Sequence, residues 1–333
     1  MKRKGFTLIE LLVVIAIIAM LMAILMPALG RVRRMAQQLV CGTNLSGLGK
    51  ACVLYANDND EDYPIAGGKG DNSWTSQGYM NDWNQVDKNW TDDDEVTVSA
   101  SLYLLIREAD VSPKQFVCPS SNQFEFTGEK MDEGAGSNIV ELTDIWDFGD
   151  GDGNLSSNST ESPRNCCSYA YHYPYQDAAN YSFPLTASSK SGKAVLADRS
   201  PWYDNNLEEG SSPDNDNYIT MIDELNLGQN PQDDDWSSIT KWKREINNSN
   251  AHQREGQNVL YADGHTSFEK RPDVGIQSDN IYCAFDGGSP DEWDAVGRRI
   301  GADWSGKRLS PGENNIRVKS EEDNVLVNDI KEL

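Results

Sequence analysis

From Phe6 to Leu29 the chain is apolar at almost every position, FTLIELLVVIAIIAMLMAILMPAL, and a single acid, Glu10, interrupts the run. At 1.5 Å per residue such a stretch forms a helix of about 36 Å, longer than the roughly 30 Å hydrocarbon core of a bilayer. A carboxylate at that depth costs about 2.5–3.5 kcal/mol, so Glu10 needs a reason to be there. Beyond Pro27 the pattern changes without ending. Cys41, Leu45, Leu48, Cys52 and Tyr55 recur at 4-3-4-3 spacing, one face of a helix that continues to about Asn57. Pro27 has no amide hydrogen and crowds the preceding turn, which predicts a kink near the membrane boundary. Gly42, Gly47 and Gly49 each weaken this second half by about 1 kcal/mol relative to Ala, so packing must hold it.

The cluster NDNDEDYP ends the helical pattern, and Pro64 prevents its return. After it come short runs rich in Val, Tyr and Phe, bounded by Pro, Gly or Asp: QFVCPS, CSYAYHYPY, KAVLADRSP and NVLYADGHTSFEK. These read as strands of an antiparallel sheet. In the last of them Asp263-Gly264 predicts a two-residue hairpin turn with positive φ. The expected architecture is α+β: a leader at 1–5, a membrane-spanning helix at 6–29, its amphipathic continuation at 30–57, and a globular domain at 58–333. The helix packs on an antiparallel sheet that carries large loop insertions.

Charge separates the same two regions. Residues 1–50 hold seven Lys/Arg and one acid, leaving 22 basic against 52 acidic residues in the rest of the 333-residue chain. So acidic a body excludes nucleic acid as its partner. A hydrophobic content of 38% is enough for a real core. Lys2, Arg3 and Lys4 favour a cytoplasmic N-terminus, although Arg31, Arg33 and Arg34 stand on the far side. A cleaved secretory signal is the rival reading. The apolar run exceeds the usual 7–15 residues or so, and MPALGRVRR offers no small-x-small cleavage site.

The stretch KGFTLIELLVVIAIIAML resembles the leader of type IV prepilins and of type II secretion pseudopilins of the protein G kind. The resemblance implies cleavage between Gly5 and Phe6 by a prepilin peptidase/N-methyltransferase, methylation of the new Phe6 amine, and retention of the apolar helix. Glu10, five places into the mature chain, then pairs with the Phe6 amine of a neighbouring subunit. The implied role is a subunit of a type IV pilus or type II secretion pseudopilus. Its implied partners are membrane lipid, other pilin-like subunits and the inner-membrane assembly platform. It would be a single-pass inner-membrane protein with a periplasmic body, moving to the cell surface or pseudopilus on assembly. A monomeric anchored display or enzymatic domain is the alternative from another class.

A second resemblance covers the body thinly. CGTNLSGLGKACVLYANDNDEDYP, FVCPS, SYAYHYP, AVLADRSP and His252 followed by NVLYADGH are similar to the prepilin-type processing-associated H-x9-DG domain of planctomycete-type bacteria. Ten residues, not nine, separate His252 from Asp263 here, a difference that a bulge would accommodate.

Among chemistry-bearing residues, Asp198, His252, Asp263 and His265 offer nitrogen and carboxylate ligands for a divalent metal. Asp147, Asp150, Asp152 and Asn154 offer closely spaced oxygens for calcium, although an EF-hand loop fails because Leu155 occupies the glycine position. Cys41, Cys52, Cys118, Cys166, Cys167 and Cys283 are disulfide candidates in an exported body, with fifteen pairings. Cys41 and Cys52 would lie about 16 Å apart along a helix, beyond the roughly 7 Å limit, and adjacent Cys166 and Cys167 would form a strained ring. Links from Cys41 or Cys52 to Cys118 or Cys166 are expected. The sequence carries no nucleophile elbow, phosphate loop, CxxC or HExxH, and a non-enzymatic role is expected.

Overall fold

The computed structural model describes residues 8–66, 73–74, 95–127, 141–148, 163–175, 184–201, 248–272, 274–276, 281–282 and 324–327. Its dominant element is α1, Leu8–Asp58, a helix of 51 residues and therefore about 77 Å long. The helix runs through Pro27, which does not end it. From Leu8 to Leu29 the large apolar side chains are 45–78% exposed, so nothing in the described body covers this half. Burial begins at Cys41 and follows the expected stripe, with Cys41, Leu45, Leu48 and Cys52 fully buried and Tyr55 packed at its edge. At the far end Asp60 and Glu61 turn left-handed, and the Glu61 N–H donates to the Ala56 carbonyl at 2.9 Å. This closure satisfies a terminal carbonyl and stops the helix within the Asn/Asp cluster.

The helix lies on a five-stranded antiparallel sheet of order β6-β5-β4-β3-β7. Its strands are β3 (Tyr169–His172), β4 (Ala194–Asp198), β5 (Gln257–Tyr261), β6 (Thr266–Glu269) and β7 (Leu326–Val327). A separate parallel pair is formed by β1 (Ser73–Trp74) and β2 (Glu95–Val96). The central strands are buried on both faces. Tyr169, Tyr171, Leu196 and Leu260 join the core under α1, while Ala170, Ala197, Val259 and Tyr261 join a smaller core on the opposite face with Ile281, Tyr282 and Leu326. A register shift between Ala194 and Leu196 lets Val195 and Leu196 both reach the α1 side.

Three features depart from the sequence expectation. The segment QFVCPS is no strand: Pro113–Phe116 forms a 3₁₀ turn, and Val117 and Cys118 continue as an extended link towards a turn at Pro119. Pro113 and Pro119 remove the amide donors that a strand would need. The hairpin between β5 and β6 has a three-residue loop in which Gly264 alone takes positive φ, +84°, and its N–H donates to the Tyr261 carbonyl at 2.8 Å. That is a type I turn followed by a bulged glycine, which needs one special residue instead of two. A second helix, α2 (Val98–Glu108), lies beside α1, capped where the Thr97 hydroxyl accepts the Ala100 N–H at 3.1 Å.

Three glycines of α1, Gly42, Gly47 and Gly49, mark its contact face. A Cβ at Gly49 would stand 2.8 Å from Leu260 Cδ1, at Gly42 3.2 Å from Asn258 Oδ1, and at Gly47 3.3 Å from Gln115 Oε1. The helical propensity these glycines give up is offset by close approach of backbone to sheet. Gly49→Ala should therefore destabilise the body by about 1–3 kcal/mol despite its better helix propensity, because Leu260 is buried and must move. Thermal unfolding of the single variant and of Gly49→Ala with Leu260→Val measures this. A double variant no more stable than the sum of its parts would show that the contact is slack.

Candidate functional site

Two regions stand out, one exposed and one buried. The exposed one is the first half of α1, an apolar rod with Glu10 in its first turn. Gly5 and Phe6, the expected processing pair, lie outside the described residues. The helix is long and apolar enough to cross a membrane.

The buried region lies where α1 meets the sheet. Cys41 comes from the first buried turn of α1, Cys118 from the link after the 3₁₀ turn, Asp198 from the end of β4, and His252 from the turn that enters β5. One ligand atom from each lies within 4.8 Å of every other. Cys41 Sγ donates to Asp198 Oδ1 at 2.8 Å, His252 Nε2 stands 3.3 Å from Asp198 Oδ2, and Cys118 Sγ is 3.6 Å from His252 Nε2.

The surroundings orient each group. The backbone N–H of Asn258 donates to Asp198 Oδ2 at 2.7 Å, and its side-chain amide reaches the same oxygen at 3.2 Å and His252 Nε2 at 3.1 Å. Tyr169 brings its hydroxyl to 3.4 Å from Cys41 Sγ, and the Ser120 N–H points at Cys118 Sγ from 3.5 Å. The His252 ring stands edge-on to Phe268, with centroids 5.8 Å apart. His252, Gln253 and Arg254 all have φ between 55° and 59°, a left-handed run of residues with side chains. Such positions cost on the order of 1–3 kcal/mol each, which the fold maintains while aiming the imidazole at Asp198.

Electrostatically the four groups act as a unit. Burial opposes a charge on His252, but its hydrogen bonds to Asp198 and Cys118 raise its pKa to about 10. The hydrogen bond with Cys41 draws the Cys118 thiol down to about 7 against the effect of burial. Burial first, then Cys118 and Asp198, push the Cys41 thiol well up. Cys118 is thus the more thiolate-like of the pair.

The four-residue set expected from sequence divides in two. Asp198 and His252 meet in the core, whereas Asp263 and His265 stand at the exposed hairpin tip, bonded to each other through His265 Nδ1 and Asp263 Oδ1 at 2.5 Å. There the His265 backbone N–H, 3.1 Å from the same oxygen, lowers the Asp263 pKa and closes the turn. The reason is topological: the turn carries residues 262–265 beyond the end of the sheet, while residue 252 precedes β5 and sits under α1. Asp147 is buried and serves the start of α2, accepting from the Thr97 and Ser99 hydroxyls and, at 2.7 Å, from the Phe148 N–H. Asp150, Asp152 and Asn154 lie outside the described residues, as does Cys283. The five described cysteines are free thiols, so the expected bridges from the helix to the body are not formed among them. Cys41 and Cys118 do meet, hydrogen-bonded to each other beside Asp198 and His252.

Comparison with known proteins places the N-terminus. Residues 1–26 match the prokaryotic N-terminal methylation motif. The chain is 49% identical over 57 residues to the major component PilA4 of the type IV wide pilus of Thermus thermophilus, a match covering 17% of this chain and 44% of that protein. No solved structure matches. The methylation motif, the likeness to a type IV pilin and the uncovered apolar helix together support a type IV pilin-like protein anchored in a membrane.

Proposed function

We propose that this chain is a minor subunit of a type IV pilus or type II secretion pseudopilus, inserted in the inner membrane and then assembled with other pilin-like subunits. The observation that carries this reading is α1 itself, one continuous helix whose first half is uncovered while its second half is built into the body. Lipid covers the uncovered half before assembly, and neighbouring helices of the same kind cover it afterwards. Its work is structural, and the inner-membrane assembly platform and a prepilin peptidase/N-methyltransferase are the partners it needs.

A minor position suits the body. With 52 acids against 22 bases beyond residue 50, adjacent copies at every step of a thin filament would repel one another. The H-x9-DG likeness fits the same reading, as a large display domain on a prepilin stem.

Sheared filaments and washed membranes, separated and probed for this chain, test the proposal. The protein is expected in the filament fraction at low stoichiometry with Phe6 as its first residue, and Gly5→Val should leave the basic leader attached. Protein confined to the membrane as monomers would support the anchored display domain instead. A mature start near Gly30 would remove the membrane stem altogether.

A further inference from the structure

We propose that Cys41, Cys118, Asp198 and His252 form a buried tetrahedral zinc site that fastens the membrane helix to the sheet. The inference does not depend on filament assembly. Zinc bonds of about 2.0–2.3 Å to nitrogen, oxygen and sulfur place tetrahedral ligand atoms about 3.3–3.8 Å from one another. The observed separations of 3.3 Å between His252 Nε2 and Asp198 Oδ2 and 3.6 Å between Cys118 Sγ and His252 Nε2 fall in that range. Cys41 Sγ, at 2.8 Å from Asp198 Oδ1, needs to withdraw by about 0.5–1 Å to admit the ion. Two thiolates, an imidazole and a carboxylate suit zinc, whereas calcium and magnesium take oxygen alone.

The same geometry argues against a nucleophilic cysteine. In a Cys-His-Asp relay the acid and the nucleophile bond to opposite nitrogens of the imidazole. Here Cys118 and Asp198 both approach Nε2, and Nδ1 has no hydrogen-bond partner among the described residues. Groups that converge on one point are arranged as ligands.

Hydrogen-bond donors to the ligand atoms are already in place. Binding zinc releases the thiol protons and the proton on His252 Nε2, and leaves three negative ligands around a divalent ion. The remaining negative charge is met by the Ser120 N–H at Cys118 Sγ, the Tyr169 hydroxyl at Cys41 Sγ, and the backbone and side-chain N–H groups of Asn258 at Asp198 Oδ2. The Asn258 amide, now shared with His252 Nε2, would turn wholly to Asp198. Burial of all four ligands closes the site to substrate and makes it structural.

Metal analysis of the full-length chain, purified from membranes in detergent without chelator, is the test. About one zinc per chain is expected. Cobalt substitution of the wild-type protein should give the intense visible absorption of a tetrahedral, thiolate-ligated ion. Cys118→Ser and His252→Ala should reduce zinc to background, Asn258→Ala should weaken binding about 10–100-fold, and His265→Ala at the hairpin tip should retain it. The cobalt spectrum keeps the test meaningful if the ligand variants fail to fold. Three results would each overturn the proposal: no stoichiometric zinc after incubation with zinc and reductant, a different metal at the same stoichiometry, or a Cys41–Cys118 disulfide in peptides mapped from membrane-purified protein.

Discussion

Glu10→Gln should leave leader cleavage and the body unchanged, and should remove the protein from filaments. The two side chains are nearly isosteric, so the substitution deletes charge alone, and insertion becomes slightly easier. Packed among other apolar helices, the methylated amine of Phe6 on an incoming subunit would then face an amide where a carboxylate should be. An uncompensated buried charge costs about 3–5 kcal/mol. At about 1.4 kcal/mol per factor of ten, the assembly constant falls by roughly two to four orders of magnitude. Glu10→Val should behave alike, and Ile17→Val should be mild. Filament and membrane fractions compared by quantitative blotting give the ratio directly. Wild-type incorporation of the Gln variant would dismiss the pairing and favour the anchored display domain.

The second large effect is expected at Gly256, where β5 begins. A Cβ there would stand 2.2 Å from the carbonyl oxygen of Glu269 and 3.0 Å from its carbon, with Phe268 Cε1 equally close. Backbone cannot step aside as a side chain can. Gln257 pairs with Glu269 in the adjoining rung, so relief requires parting β5 from β6. The φ of +156° adds strain for any residue with a side chain. Gly→Ala normally gains about 0.4–1 kcal/mol through the unfolded chain, but here the clash reverses the sign and the loss should exceed about 3 kcal/mol. For a body of this size that lowers Tm by roughly 10 °C. Gly264→Ala is the control: its φ is +84° but nothing lies within 4 Å, so only the left-handed conformation is penalised, at about 1 kcal/mol. Circular-dichroism melts of the full chain in detergent should rank the two, and equal losses would refute the steric account.

How far the sequence could be read follows from how local each feature is. The stripe Cys41-Leu45-Leu48-Cys52 is legible because one helical face has one period, and the glycines beside it raised the question that Leu260 and Asn258 answer. The β5–β6 hairpin is legible at Asp263-Gly264 but its loop length is not, since Asp-Gly serves both the two-residue turn and the bulged three-residue one. Helix α2 is hard to read because it is only 11 residues long, and Ser99 and Ser101 are as buried as its apolar residues. Of the four converging ligands, the sequence offers Asp198 and His252 as metal candidates and Cys41 and Cys118 as disulfide candidates. Spacing cannot show that residues 41, 118, 198 and 252 share a point; only the path of the chain through the sheet brings them there. The signal in the sequence is Asp198 itself, an acid that closes the apolar run AVLAD.

The length of α1 also decides how the molecule meets tension. A filament that is pulled transmits load along its axial helices, and here the same rod enters the body and lies flat across β4, β5 and β6. Pulling on its apolar half therefore shears α1 along the sheet instead of peeling it away. Shear loads every contact from Cys41 to Ala56 at once, whereas peeling would break them one by one. With Cys41 at the first buried turn, the four-residue cluster sits at the end of the stripe nearest the pull, where a cross-link would best resist slippage.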